Sequence, residues 1–451
     1  MLNIILKIFM PEIEKMEELK KIFSQSFQYF LSLIIIKLIT TLNGIFLARF
    51  LLSEKFGIYT LINQLTLLLS FFAGFGLPVI ITKFIAQSKN DKELLDTTYQ
   101  TAQILVLFFS CLVIIFYFSS SRLLAEKVYK KPFLLKYFYL TNPLILFLTF
   151  NTFWIGVLQG LKEIKSISLI NICYNLLSLP LIIFLTKKYE IYGAISALIL
   201  ANLFGNILFL KKIKNFFSLK LNFDFFQAEK IISLAFPTFL SGLVMVPASW
   251  LVNTKLAITK NFSEVAYFNI ANTFFQLFLF IPIAIGMPLT PIIAEEVSNL
   301  IKIKKLLNKI INYSSFLLLL LLFLIFIFLP KIILIFLGKD YLPALKSFLF
   351  VVGAIVPVNI GYIFGYYLTG TGKMWLATFF NAVWFFIFIF SVYLFTYKYG
   401  ALGVGISFYA AYFFQVFSMI FYFKTLLTKP FLATILLILN LVLIILFYKF
   451  L

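Results

Sequence analysis

The stretch FQYFLSLIIIKLITTLNGIFLARFLL, Phe27–Leu52, decides the fold class of this chain. It is long and apolar enough to cross a bilayer, which takes roughly 20 predominantly apolar residues as a helix. Well inside it stands Lys37, and a charge at that depth costs at least ~2.5–3.5 kcal/mol unless it is compensated. At about 100° per residue, Lys37, Thr41, Gly44 and Ala48 fall on one narrow stripe with Thr40 beside them. The lysine therefore shares a small and polar face, which looks into protein or water rather than lipid.

The rest of the chain repeats this pattern. Of 451 residues, 62% are hydrophobic, 19% aromatic and 12% charged, against roughly 45–50% apolar and ~25% charged in soluble domains. Mean hydropathy is +1.04. The expected fold class is an all-α polytopic membrane protein: runs of roughly 20 apolar residues exclude the short alternating strands of an outer-membrane barrel. A net charge of +21 would suggest nucleic acid in a soluble protein. Here the lysines cluster in short connections between apolar runs, where they act as topology signals and meet anionic membrane lipids, so no nucleic-acid partner is expected. Cys111 and Cys173 both lie inside apolar runs, which leaves neither a disulfide framework nor a metal-ligand spacing. There is no His, so the commonest proton shuttle and metal ligand is missing, and no cofactor or metal is expected.

Residues 1–22 open with the short apolar run Met1–Met10, followed by the charged stretch Glu12–Lys21 without a small-residue cleavage site. They read as an interfacial or cytoplasmic segment rather than a signal peptide, with a misassigned start codon as the alternative. Helices are expected near 27–52, 57–85, 99–121, 133–159, 165–187 and 191–210, forming an N-lobe over 23–212. A basic inter-lobe loop (213–230) leads to a C-lobe (231–427) with helices near 231–256, 263–292, 311–336, 343–370, 375–397 and 401–423. An extra C-terminal apolar helix follows in 428–451, its core at 431–447, and its span of the membrane stays open. Loops after even-numbered helices, with the N-terminal segment, carry the larger share of Lys and Arg, which places the N-terminus in the cytoplasm.

The two blocks of six helices read as copies. At a constant offset of 210, Gly76 and Pro78 match Gly286 and Pro288, Gly160 matches Gly370, Asn171 matches Asn381, Lys188-Tyr189 match Lys398-Tyr399, and Gly193 matches Gly403. Several are Gly or Pro, where backbone geometry restricts the choice. Six is even, so both copies enter the membrane from one side, as parallel repeats with a cavity expected between them.

All acidic residues fall in the N-terminal segment, in loops or at helix ends; none sits in the middle of an expected span. An intramembrane proton relay, or a counter-charge for cationic drugs, is thereby missing, while Na⁺ coordination by carbonyls and hydroxyls stays open. Of the intramembrane cations, Lys37 is central. Arg49, Lys83 and Lys255 lie nearer helix ends, where long basic side chains commonly snorkel to the interface. The eighth helix carries Asn269, Asn272, Thr273 and Gln276 as one polar stripe, and with a two-residue gap Gln64 on the second helix corresponds to Asn272; Asn63 and Thr60 lie close by. Such stripes either bond helix to helix or line a wet path. Asn171, Asn175 and Ser178 form a shorter stripe read as structural. Prolines at 78, 180, 237, 247, 282, 288, 291 and 357 mark expected bends.

Ala48-Arg49-Phe50-Leu51 followed by Phe56-Gly57-Ile58-Tyr59, Gly76-Leu77-Pro78 leading to Lys83-Phe84-Ile85-Ala86, Leu158-Gln159-Gly160, and Leu337-Gly338-Lys339-Asp340-Tyr341 with Ala344 occur in an order and spacing that resembles a known family. The sequence looks like an O-antigen type polysaccharide biosynthesis flippase of the multidrug/oligosaccharidyl-lipid/polysaccharide exporter superfamily. It departs from the family pattern at Lys83, often Arg, and near Asn253, often acidic. The resemblance implies two six-helix lobes in a V, a cavity lined by helices 1, 2, 7 and 8, and alternating access. It also implies a polyprenyl-(pyro)phosphate-linked oligosaccharide as cargo, other polysaccharide assembly proteins as partners and the plasma membrane as location. Substrate-binding candidates are Lys37, Arg49, Gln64, Lys83, Lys255, Asn269, Asn272 and Gln276. The alternatives are a cation-coupled multidrug exporter and a lipid II flippase. An enzyme is not expected: the longest connection, Lys211–Lys230, offers only Asp224 and Glu229 for acid–base or metal work.

Overall fold

A computed structural model describes residues 17–88, 91–218, 222–243, 246–286, 289, 292–293, 299–424, 426–427 and 430–450. The Met1–Met10 run, Lys220, Pro288, Pro291, Glu295 and Glu296 lie outside the described residues. Among the described residues there are helices and no strands.

α1 (Glu17–Gly74) joins two membrane crossings across a backbone break at Leu52, φ 59° and ψ 177°, and a turn at Phe75–Gly76 leads into α2 (Leu77–Gln87). α3 (Lys92–Leu123) starts on Asp91, whose carboxylate accepts from the amides of Glu93 and Leu94, meeting two of the orphan donors of a helix start. α4 (Leu135–Gly160) and α5 (Ile164–Ile213) complete six crossings, because α5 breaks at Glu190. α6 (Phe225–Gly242) with α7 (Val246–Thr259), α8 (Phe262–Phe278) with α9 (Phe280–Gly286), α10 (Leu300–Phe336), and α11 (Ala344–Gly353) with α12 (Ile355–Gly370) form the next four. α13 (Met374–Tyr422) supplies two more by breaking at Gly400, and α14 (Pro430–Phe450) is one further helix, long and apolar enough to cross. Nine described helices are each long and apolar enough to cross a membrane. The protein is an all-α polytopic membrane protein built as two parallel six-helix lobes with one extra C-terminal helix.

The duplication is written in the backbone. Glu190 (φ 51°, ψ −125°) and Gly400 (φ 57°, ψ −132°) share one non-helical conformation at the offset of 210. Lys162 (φ 63°) and Gly372 (φ 72°) turn the preceding corner alike. A Cβ on Gly193 would meet the Leu185 carbonyl oxygen at 1.9 Å, and one on Gly403 the Phe395 oxygen at 2.4 Å. Both hairpins close so tightly that only glycine fits. Ser53 Oγ donates to Ser263 Oγ at 3.1 Å; equivalent residues touching each other straddle the axis that relates the lobes. Carried on without a gap, the same offset pairs Gln64 with Phe274 and Asn63 with Thr273, whereas the pairing of Gln64 with Asn272 needs a slip of two residues.

Several helices start earlier than hydropathy suggests: α3 at Lys92, α6 at Phe225 and α10 at Leu300. A hydropathy reading stops where charges begin, whereas a helix continues until its caps, here Asp91, Asp224 and Asn299. The connection between the lobes is correspondingly shorter than 213–230. The hairpin breaks at Leu52, Glu190 and Gly400 carry no proline, whereas Pro78, Pro247, Pro282 and Pro357 each stand in the first turn of α2, α7, α9 and α12, where a helix pair is interrupted as expected. Pro180 and Pro237 sit inside continuous helices, as membrane helices tolerate when neighbours satisfy the freed carbonyl. α6 also packs with the N-lobe, burying Ala228, Ile231 and Ala235 against Leu77, Ile81 and Tyr99, although the sequence boundary at 231 assigned it to the C-lobe. α14 packs on α10 and α11, with Asn440 buried and accepting from the Tyr409 hydroxyl at 2.8 Å.

Candidate functional site

α8 lies against both halves of α1, and small residues bring them together. A Cβ on Gly57 would meet the Phe262 carbonyl oxygen at 1.7 Å, and one on Gly44 would meet Thr273 Cγ2 at 3.0 Å. Beside this seam, between α1, α4, α5 and α8, lies a cavity of about 450 Å³. Along α1 it runs from Lys37 to Leu47, about 15 Å at 1.5 Å per residue.

One end of the cavity is closed. There the Tyr341 hydroxyl donates to the Ala48 carbonyl at 3.1 Å, the Arg49 guanidinium to the Ile335 carbonyl at 3.2 Å, and the Ser53 amide to the Asp340 carboxylate. At the opposite end of its α1 wall stands Lys37, half-buried, its ammonium donating to the Gln276 carboxamide oxygen across the lobes at 3.4 Å. Both Thr40 and Thr41 hydroxyls donate back to the Lys37 carbonyl, at 3.0 and 2.8 Å. The stripe expected from the sequence thus faces the cavity, with Ala48 buried where the closed end begins.

Between the two ends the wall is dominated by eight carboxamides. Five are committed to the protein. Asn43 donates to the Ser178 hydroxyl at 2.6 Å, Asn175 to the Asn171 carbonyl at 2.8 Å, and Asn269 to the Asn253 carboxamide. Asn202 accepts from Asn151, and Gln276 holds Lys37. Asn63, Gln64 and Asn272 make no hydrogen bond among the described residues. No carboxylate among the described residues lines the cavity.

Of the eight sequence candidates, the cavity brings together Lys37, Gln64, Asn269, Asn272 and Gln276. It does not include the other three. Arg49 is exposed and spent on the closed end, Lys83 is exposed on α2, and Lys255 lies with its ammonium 4.4 Å from the Tyr393 ring centroid. Asn175 and Ser178, read as structural, both bond within the protein and line the cavity. Asn43 and Asn202 were missed. The only signal for Asn202 is its i,i+4 spacing with Asn206, and that pair meets Asn151 in a buried network.

The sequence pattern of the family described as polysaccharide biosynthesis protein matches residues 29–297, which is more than half of the chain. The chain belongs to the polysaccharide biosynthesis protein family. Every lining residue of this family member's cavity falls inside the matched range. No curated protein matches the chain. Among solved structures, the lipid II flippase MurJ in an inward closed conformation superposes with a TM-score of 0.76 at 14% identity, covering 93% of this chain and 97% of that one. An inward-facing multidrug resistance MATE family transporter of the MOP superfamily gives 0.73 at 16% identity, covering 87% and 95%. An outward-facing conformation under the same description gives 0.61 at 17%, covering 90% and 94%. At these identities the likeness establishes the fold, that of MOP-superfamily membrane transporters. The family pattern adds the connection to polysaccharide synthesis.

Proposed function

We propose that this family member is a plasma-membrane flippase that moves a polyprenyl-(pyro)phosphate-linked oligosaccharide by alternating access. The observation that carries this reading is the composition of the cavity wall: among the described residues, one ammonium, eight carboxamides and no carboxylate. An ammonium in a wet cavity replaces the solvation that a phosphate loses in ~30 Å of hydrocarbon, and carboxamides both donate to and accept from sugar hydroxyls. A cationic drug would find no counter-charge there, which disfavours multidrug export. The closure at Asp340 and Tyr341 leaves the Lys37 end as the side of access. With the N-terminus in the cytoplasm, that is the inner side, in keeping with the higher TM-scores to inward conformations. The chain performs no covalent step in this scheme, and other polysaccharide assembly proteins supply and use its cargo.

Reconstitution in proteoliposomes with a fluorescent undecaprenyl-diphosphate glycan tests the reading. Wild type and Lys37→Arg are expected to translocate it, and Lys37→Ala to lose at least about tenfold, the loss of one charge-assisted contact. Equal rates in all three proteins would remove Lys37 from the mechanism. Lipid II as competitor, and imposed Na⁺ or K⁺ gradients, separate glycan preference from the driving force.

A further inference from the structure

The two lobes are copies in backbone but not at the cavity. At the offset of 210, Asn175, Ser178 and Asn202 of the N-lobe correspond to Phe385, Phe388 and Tyr412 of the C-lobe. Those C-lobe positions belong to packed aromatic rings. Trp384 lies 5.1 Å from both Phe388 and Tyr412 by ring centroids, and Phe408 lies 5.0 Å from Tyr412. Gln64 corresponds to Phe274, which packs on Phe348 at 5.2 Å. The space that is polar in the N-lobe is filled with rings in the C-lobe.

Within the N-lobe wall, the committed carboxamides and the free ones divide by place. Asn43 ties α1 to α5 and Asn202 ties α5 to α4, while Asn175 bonds back to the Asn171 carbonyl within α5. Asn63 and Gln64, adjacent on the second half of α1, line the same cavity with no protein partner among the described residues. Asn272 is likewise free, and it reaches the cavity from α8. Half-buried amides with no protein partner leave donors and acceptors available to whatever fills the cavity. Along the α1 wall they lie between Lys37 and the closed end: going up from Lys37 leads to Leu47, and coming back down leads from Phe56 through Asn63 and Gln64 to Leu67. A phosphate at Lys37 therefore places the next group of the cargo beside these amides.

We propose that Asn63 and Gln64, opposed by Asn272, form a sugar subsite in the N-lobe that holds the uncharged saccharide adjoining the phosphate, while the aromatic C-lobe serves as a rigid counter-wall without a sugar site. This rests on the flippase reading above. The ligand is uncharged because the wall offers, among the described residues, one cation, engaged by the phosphate, and no anion. Carboxamides reject an analogue lacking the hydroxyls they are placed to meet more strongly than an apolar wall does.

The test measures dissociation constants of nanodisc-embedded protein for two probes, undecaprenyl diphosphate and undecaprenyl-diphosphate-N-acetylglucosamine, by native mass spectrometry. Wild type is expected to bind the sugar-bearing probe about tenfold more tightly, the scale of one or two hydrogen bonds. The double variant Asn63→Leu/Gln64→Leu should bind both probes equally, with its affinity for the bare diphosphate unchanged, which shows that it is folded. Tyr412→Phe in the C-lobe should keep the tenfold preference. A double variant that retains the preference overturns the subsite. So does a wild type that binds both probes equally, and that result leaves the flippase reading standing. If wild type binds neither probe, the flippase reading falls and the subsite with it.

Discussion

Lys37 uses one of its three ammonium donors on Gln276, at 3.4 Å, and no carboxylate among the described residues lines the cavity to take the others. A half-buried cation left so incompletely matched is stabilised further by any anion that reaches it, and its position on α1 beside α8 makes that anion a contact for both lobes. The carboxamides around it differ in what they hold. Asn202 accepts from Asn151, and Asn151 in turn accepts from Asn206, so Asn202→Leu strands the Asn151 amide. That change is expected to cost about 1 kcal/mol, in the range of hydrogen bonds between membrane helices, and to lower the melting temperature in detergent. Asn63→Leu, which breaks no protein hydrogen bond, should leave the melting temperature unchanged. Equal melting curves for the two variants would refute the division between frame and free amides.

At the scale of elements, the decisive feature is the break in α1. Leu52 has a backbone conformation, φ 59° and ψ 177°, that is nearly reserved for glycine. The amide that follows it, Ser53 N–H, is taken by the Asp340 carboxylate of the opposite lobe. The two sequence motifs Ala48–Leu51 and Leu337–Tyr341 thus meet in one closure, because Tyr341 caps the Ala48 carbonyl and Arg49 the Ile335 carbonyl. A hydrogen bond to a charged acceptor is worth about 1.5–3 kcal/mol. Asp340→Ala should therefore shift the population away from the closed end by roughly 10- to 100-fold. Spin labels at Glu54→Cys and Lys260→Cys, with the exposed Cys111 and Cys173 replaced, should report a longer inter-lobe distance. An unchanged distance distribution would show that the carboxylate does not hold the gate. The corresponding breaks at Glu190 and Gly400 are held by different partners: Lys55 pairs with the Glu190 carboxylate, and Glu264 takes the Ala401 amide.

For the whole molecule, α14 is part of the C-lobe rather than an appendage. Asn440 is fully buried, its oxygen accepts from Tyr409, and its amide nitrogen has no partner. Ile444 fills the space over Gly353. Asn440→Leu alone should lower the melting temperature by stranding the Tyr409 hydroxyl. Asn440→Leu with Tyr409→Phe should recover it, because replacing both partners with apolar groups is close to neutral. A double variant as unstable as the single one would mean that Asn440 contributes through packing alone. The duplicated plan was readable from Gly193/Gly403 and Gly160/Gly370, since a tight hairpin restricts its glycine locally. The extra C-terminal helix was readable as an apolar run, but its docking on α10 and α11 was not.

The sequence by itself determined the fold class, the two repeats and the polar face around Lys37, because hydrophobic length, glycine at tight corners and a charge in an apolar run are constraints each helix meets alone. Only the tertiary structure decided which polar groups share a cavity. Arg49, Lys83 and Lys255 are as cationic as Lys37, yet they lie outside it, and Asn43 and Asn202, unremarkable in sequence, line it. The physical reason is that a side chain's environment in a helical membrane protein depends on which helix packs against its face. That choice is made by contacts between segments more than 200 residues apart, such as Ser53 with Ser263 and Lys37 with Gln276.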